Sequence, residues 1–316
     1  MSSDAPTSIL APKIFRFTDA DEFRSWVRHI KMEVTPLARR FAAEQVILNL
    51  EGFAVNFIKS FPRIVDVELA PNCTAVGFSM DDGIPIRFNG LERDQSVIAI
   101  GHNKAAYSAV ARAERRYASI IFQPAIDNRG WPEPGPNFSV HETSPAAHRR
   151  LRTLMTEISS AAPTVTDPAG AATFSAATRE SVLACIDAAF AEVVVAKWSL
   201  RVNSTRQFKV FQDIRELLAA NIASPIYSGE LAKQLGVSVR TIHDAVLRYR
   251  GMSLHRYLRL RRLWLVRCRL LAGADTVKAC ALACGFWHMG DFSHSYRFQF
   301  GETPSETMAR GRNSLQ

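Results

Sequence analysis

Residues 228–251 read SGELAKQLGVSVRTIHDAVLRYRG. Two short amphipathic runs flank a single glycine. Leu231, Ala232 and Leu235 share one helical face, and Gly236 supplies a left-handed turn at no cost in Cβ strain. Ser238 is placed to cap a second helix, on which Val239, Ile242 and Val246 point inward. Helix, glycine turn, helix is the grammar of a helix-turn-helix unit. The open face of the second helix then carries Arg240, Thr241, His243, Asp244 and Arg248. Arginine and threonine near the start of such a helix are the residue types that reach base edges and phosphates.

The same grammar recurs downstream. Asp275 or Thr276 caps a run with Val277, Ala281 and Leu282 on one face. Gly285 makes the turn and Phe286 fills the core. Phe292, Tyr296 and Phe300 recur every four residues, and Gly301 and Pro304 end that helix. Its open face carries Met289, Gly290, Asp291, His294 and Arg297. Between the units lies SLHRYLRLRRLWLVRCRLLAG (253–273), a basic helix of about twenty residues. At ~1.5 Å per residue it is roughly 30 Å long, close to the ~34 Å turn of B-DNA.

Charge follows this division. Residues 201–316 hold 18 Lys/Arg against 8 Asp/Glu, a balance of +10, whereas residues 1–200 hold 21 against 22, a balance of −1. A basic domain beside a neutral one points to a polyanion for the first and another partner for the second. The five cysteines (Cys73, Cys185, Cys268, Cys280, Cys284) are odd in number and lack disulfide spacing. Cys280 and Cys284 share a helical face, but no further ligand stands at metal-site spacing, which favours packing over a metal.

Upstream, the pattern changes to short strands. VILNLEGFAVNFI (46–58), TAVGFSM (74–80), IPIRFNG (84–90), SVIAIG (96–101) and YASIIFQP (117–124) are separated by turn signals such as Asp82-Gly83 and Asn89-Gly90. DADEFRSWVRHIKM (19–32) has helical periodicity through Phe23, Trp26, Val27 and Ile30, with Asp19 or Asp21 as cap. Trp26, Phe53, Phe57 and Phe78 are candidate pocket linings, with core packing the simpler assignment. After the loop GWPEPGPN (130–137), two helices carry apolar stripes: Leu151, Leu154, Met155 and Ile158, then Val182, Cys185, Ile186, Ala189, Phe190 and Val193. APTVTDPAGAAT (162–173) interrupts them. The stripes suit packing on the barrel or on a second copy of it.

The chain therefore reads as α+β, an antiparallel barrel-like domain followed by an all-helical one. The expected divisions are 1–144 (a barrel, the sensor or ligand-binding domain implied by the resemblance given below), 145–200 (helical hairpin, for dimerisation), 201–206 (linker) and 207–312 (DNA-binding domain). Within the last, the first unit spans about 228–249, the connecting helix about 253–272 and the second unit about 276–300.

LAKQLGVSVRTIHDAVLRYRGMSLHRYLRLRRLWLVRCRLL (231–271) and CGFWHMGDFSHSYRFQFGETPSETM (284–308) resemble the two motifs of the AraC/XylS family of transcriptional regulators. The resemblance covers about residues 207–312. It implies a double-stranded promoter-DNA partner, a homodimer, contact with RNA polymerase, activation more often than repression, and a small-molecule effector of unidentified chemistry in a cupin-like sensor domain. Residues 14–140 resemble such sensor domains, of the ethanolamine-regulator type, only weakly. There are departures: Asp244 and Asp291 stand where the family commonly has a basic residue, Leu254 replaces a proline, and Val246 replaces a phenylalanine.

Other functions lack their constellations. His29, His102, His141 and His148 are not at cupin metal-site spacing, and no G-x-S-x-G, P-loop or H-E-x-x-H is present. No catalytic residue, metal or cofactor is expected. A barrel enzyme fused to a DNA-binding module, or a ligand-independent DNA binder, is the alternative. Neither a signal peptide nor a run of ~20 apolar residues is read, so a cytoplasmic protein is expected.

Overall fold

Alternation of β-branched and aromatic residues with polar ones sets the first half of the chain. The computed structural model describes residues 10–18, 23, 30–39, 41–93, 96–132, 138–193, 202–221, 226–273 and 276–314. Backbone contacts group the chain into two units, one drawn from residues 1–197 and the other from 198–316 with the short segments 35–40 and 89–91. The expected α+β organisation is observed, with antiparallel sheets first and helices after them.

Among the described residues, twelve strands are formed: β1 (Lys13–Phe17), β2 (Ile30–Pro36), β3 (Ala43–Leu50), β4 (Phe53–Ser60), β5 (Arg63–Leu69), β6 (Thr74–Ser79), β7 (Ile86–Phe88), β8 (Leu91–Arg93), β9 (Val97–His102), β10 (Ala106–Ala111), β11 (Arg115–Phe122) and β12 (Ser139–Glu142). One sheet has the order β1-β3-β4-β11-β6-β9-β12 and the other β2-β5-β10-β7-β8. The run 46–58 is two strands rather than one, because Gly52 at φ +75° turns the chain so that Leu50 pairs with Phe53. Asn89 and Gly90, read from sequence as a turn signal, are both at positive φ and form the two-residue connection between β7 and β8. Strands β1, β2, β5, β8, β10 and β12 were not legible as such.

The helix expected over 19–32 is corrected at its end. Residues 30–36 form β2, because IKMEVTP alternates apolar and polar with period two and includes β-branched Ile30, Val34 and Thr35. Residues 19–22 and 24–29, with Trp26 and both cap candidates, lie outside the described residues.

Two helices cover one face of the larger sheet: α1 (Pro145–Ala161), capped by Ser144, and α2 (Pro168–Ala191), capped by Asp167. Leu151, Met155, Ile158, Val182, Ile186 and Ala189 are buried in one cluster with Leu48, Val55, Ile120 and Phe122 of the strands. The segment 162–173 is a helix start as much as a break: Asp167 accepts from the Gly170 amide at 2.8 Å and Pro168 occupies the first turn, where its missing N–H costs nothing. On the other face of that sheet, Arg115, Tyr117 and Ser119 of β11 look into a cavity that the smaller sheet closes.

The second unit is helical: α3 (Val202–Ala220), α4 (Ser228–Leu235), α5 (Val239–Arg250), α6 (Leu254–Leu271), α7 (Val277–Ala283), α8 (Met289–Phe300) and α9 (Pro304–Ser314). Residues 202–206, expected as linker, already belong to α3. Helix α9 was not anticipated, although Thr303-Pro304-Ser305-Glu306 is a capping box: Glu306 accepts from the Thr303 amide at 2.6 Å and Thr303 from the Glu306 amide at 3.3 Å. No helix among the described residues is long and apolar enough to cross a membrane.

Candidate nucleic-acid interface

In the first unit, α4 ends at Gly236, which adopts φ +62° and lets its amide reach the carbonyls of Ala232 and Lys233. Ser238 then caps α5, accepting from the Thr241 amide at 3.0 Å. Ile242 and Val246 are fully buried as their spacing demands. Val239, expected inside, is instead 39% exposed, because the first turn of α5 projects beyond the core. Helix α3 completes the packing: Phe208 and Phe211 lie against Tyr249, with ring centroids 5.3 and 4.7 Å apart. The buried guanidinium of Arg250 lies between the rings of Phe211 and Tyr257, at 4.5 and 5.1 Å.

The second unit repeats this plan with aromatic side chains. Thr276 caps α7, accepting from the Ala279 amide at 3.1 Å, while Asp275 lies outside the described residues. Gly285 turns the chain at φ +78°. Phe286 meets Phe292 at 5.1 Å, and Phe292, Tyr296 and Phe300 form a continuous row of tilted rings that meets Trp264 of α6 edge-on. Gly301 at φ +74° ends α8. Cys280 and Cys284 are buried, and burial pushes the Cys284 thiol up from its ordinary value, which suits a packed neutral side chain.

The residues singled out from sequence separate into two groups. The Arg240 side chain is 91% exposed and lies 3.9 Å from Asp244, one turn along the same helix face. His243, Gly290, Asp291, His294 and Arg297 are also exposed on α5 or α8, with Met289 half-buried beside them. Thr241 is half-buried and its hydroxyl is engaged with Ser238 at 2.8 Å. Arg248 is half-buried and donates to Gln207 of α3 at 2.6 Å, which ties it to the scaffold. So the outermost set is Arg240, His243 and Asp244 on α5, and Gly290, Asp291, His294 and Arg297 on α8.

Asp244 and Asp291 are the departures in charge. An exposed i,i+4 pair such as Arg240–Asp244 stabilises by only about 0.3–0.5 kcal/mol, so little holds the two side chains together. Asp291 sits in the first turn of α8, where a carboxylate is favoured by the helix dipole.

Helix α6 spans 18 residues, or ~27 Å at ~1.5 Å each. Its arginines divide by face. Arg256 and Arg259 are exposed, and Arg259 donates to Ser295 of α8. Arg262 is half-buried against the rings of Tyr227 and Phe286, at 5.7 and 5.5 Å, and burial lowers its guanidinium from its ordinary value. Arg267 is inside the core and pairs with Glu302. Trp287, 69% exposed just before α8, and Leu247, 56% exposed on α5, are large apolar side chains beside the recognition helices that the sequence reading passed over. A second aromatic residue after the turn glycine, beyond the Phe286 that fills the core, was the signal available for the first.

Residues 231–310 match a family model described as a helix-turn-helix domain. Over 103 residues the chain is 32% identical to the XylDLEGF operon transcriptional activator 3 of Pseudomonas putida, covering 32% of this chain and 31% of that protein. Over 87 residues it is 34% identical to the HTH-type transcriptional activator RhaS of Pectobacterium atrosepticum, covering 28% and 31%. The chain thus spans about a third of the length of these curated relatives. Among solved structures it is similar to a probable AraC family transcriptional regulator from Rhodopseudomonas palustris, at 38% identity over 33% of this chain and 97% of that one, with a TM-score of 0.30.

Proposed function

We propose that this chain, which belongs to the AraC/XylS family by its C-terminal helix-turn-helix domain, is a sequence-specific, ligand-responsive transcription regulator of the cytoplasm. The observation that carries this reading is a repeated one. Two helix–glycine–helix units present exposed polar residues on their second helices, and a basic helix of 18 residues joins them. On B-DNA, α5 and α8 enter neighbouring major grooves on one face of the duplex.

In this mechanism, charge and shape divide the work. Arg256 and Arg259, with the amide-rich helix starts, contact phosphate and release counterions, which makes affinity fall steeply with salt. Arg240, His243 and Asp244 address one sub-site, and Met289, Gly290, Asp291, His294 and Arg297 the other. Arginine reads guanine bidentately, and Asp244 or Asp291 can accept from cytosine N4. Thr241 and Arg248 position the first unit rather than read bases. In this reading the chain acts as a homodimer and contacts RNA polymerase, and it activates rather than represses, the last being what its relatives' names as activators suggest. The apolar stripes of α1 and α2 are occupied within the chain, so a dimer would use their remaining faces. The barrel, cupin-like in this reading, binds an effector, and that effector shifts DNA affinity only by binding one arrangement of the protein better than another.

Selection of DNA from a random-sequence pool with the purified chain tests this function. The expected product is a motif of two sub-sites about 10 base pairs apart. Binding of all sequences alike, at any salt concentration, would contradict it.

A further inference from the structure

The N-terminal, β-sheet unit holds a cavity of about 120 Å³ between its two sheets. Most of its wall is apolar, with Met32, Val67, Val76, Phe88, Ala99 and Phe138 among the contributors. Two arginines break that wall. Arg63, at the start of β5, and Arg115, at the start of β11, are 5% and 6% exposed, and both line the cavity. Such positions are rare for arginine unless a counter-charge is supplied.

Neither guanidinium has a carboxylate partner among the described residues. Arg63 donates to the Ser60 hydroxyl and the Phe61 carbonyl and lies 5.3 Å from the centre of the Tyr117 ring. Arg115 donates to the Ser79 hydroxyl at 2.9 Å. Buried Nε of Arg63 and Nη1 of Arg115 are left without a hydrogen-bond partner. Asp81 lies near enough to attract Arg115, but its carboxylate is engaged with the side chain and amide of Arg116. Burial lowers Arg115 from its ordinary value, Asp81 opposes that shift, and the like charge of Arg63 adds to it. Two buried cations that repel each other, each short of an acceptor, thus line one cavity.

We infer that this cavity binds a small monocarboxylate, its carboxylate received by Arg63 and Arg115 and its apolar body, no larger than a benzene ring, held by the two sheets. The volume of about 120 Å³ is below the ~150 Å³ of an apolar cavity that accepts benzene, so a benzene ring is the upper limit for that body. The charge follows from the guanidinium pair, whose planar forks match a carboxylate. Ser79, Tyr117 and Asn56 add polar groups to the same cavity. This deepens the ligand-responsive part of the proposed function by naming the class of effector, and binding itself can be measured without DNA.

The test uses the full chain with benzoate and hexanoate, their uncharged partners benzamide and hexanamide, and acetate as an anion without a body. At about a hundredfold excess over Kd, one or both of the longer carboxylates is expected to raise Tm by roughly 5 °C and to give a saturable calorimetric isotherm. The amides and acetate are expected to do neither. Arg115→Met is expected to weaken carboxylate binding at least tenfold, while Arg115→Lys retains part of it. If Arg115→Met does not fold, Arg115→Lys and the acid–amide pairs on the unaltered chain decide the matter alone. Equal binding of acids and amides, equal binding of acetate, or no binding of either longer acid overturns the inference. A chain that binds benzoate but selects no DNA would overturn the regulator reading and leave this one standing. The reverse outcome would do the opposite.

Discussion

Glu302→Ala is expected to destabilise the second unit by about 3 kcal/mol. Arg267 is only 2% exposed, and Glu302 supplies its carboxylate. The same carboxylate accepts from Arg310 at 2.9 Å and from the Thr307 hydroxyl at 2.8 Å, and Thr307 in turn accepts from Tyr296 at 2.9 Å. Removing Glu302 leaves a guanidinium in the core without its counter-charge, facing the rings of Phe300 and Trp264 at 4.8 and 5.8 Å. The Thr307 hydroxyl, which holds Tyr296, loses its carboxylate acceptor at the same stroke. Urea unfolding followed by tryptophan fluorescence measures the loss. Pairing the change with Arg267→Met is expected to restore most of the stability, because the buried charge is then gone too. A single variant within about 0.5 kcal/mol of the parent would show that the pair is replaceable by water or a neighbour.

On a duplex carrying the selected motif, Arg240→Ala and Arg297→Ala are each expected to weaken binding by about tenfold to a hundredfold, equivalent to ~1–3 kcal/mol. Both side chains are exposed on their recognition helices, so truncation leaves the packing intact. The discriminating result is positional. Arg240→Ala relaxes one sub-site and Arg297→Ala the other, read by anisotropy titrations against single-base variants at fixed salt. A uniform loss across all variants would assign both arginines to phosphate instead.

The helical half was legible because punctuation and periodicity agreed. Gly236, Gly285 and Gly301 fall where left-handed turns occur, and Phe292, Tyr296 and Phe300 are buried as their spacing requires. Helix α9 was missed because Pro304 reads both as a stop and as a first-turn residue, and only the Thr303–Glu306 pair distinguishes them. Strands were harder to find. β5 (RIVDVEL) is buried along nearly its whole length, so its alternation is blurred, and β12 is only four residues long. The apparent helix at 19–32 failed at β2, where two periods overlap in one short run.

The candidate site was legible in part. Spacing found the face of α5, but not that Thr241 is drawn into the Ser238 cap or that Arg248 turns to Gln207. Both depend on partners that periodicity does not encode. The guanidinium pair of the barrel was invisible for a stronger reason. Arg63 and Arg115 lie on strands far apart in the chain, and only their burial at one cavity sets them apart from the other arginines. Of the aromatic residues considered for a pocket, Phe78 lines the cavity, whereas Phe53 stacks on Phe122 at 5.7 Å in the core.

The central claim is that α5 and α8, joined by α6, read two grooves on one face of DNA. Its most direct test is affinity for the selected duplex after inserting about 5 base pairs between the sub-sites, which turns one of them to the opposite face, and after inserting about 10, which restores the face but not the spacing. A helix of fixed length predicts that both insertions reduce binding to that of a single sub-site. Undiminished affinity for either duplex would contradict it.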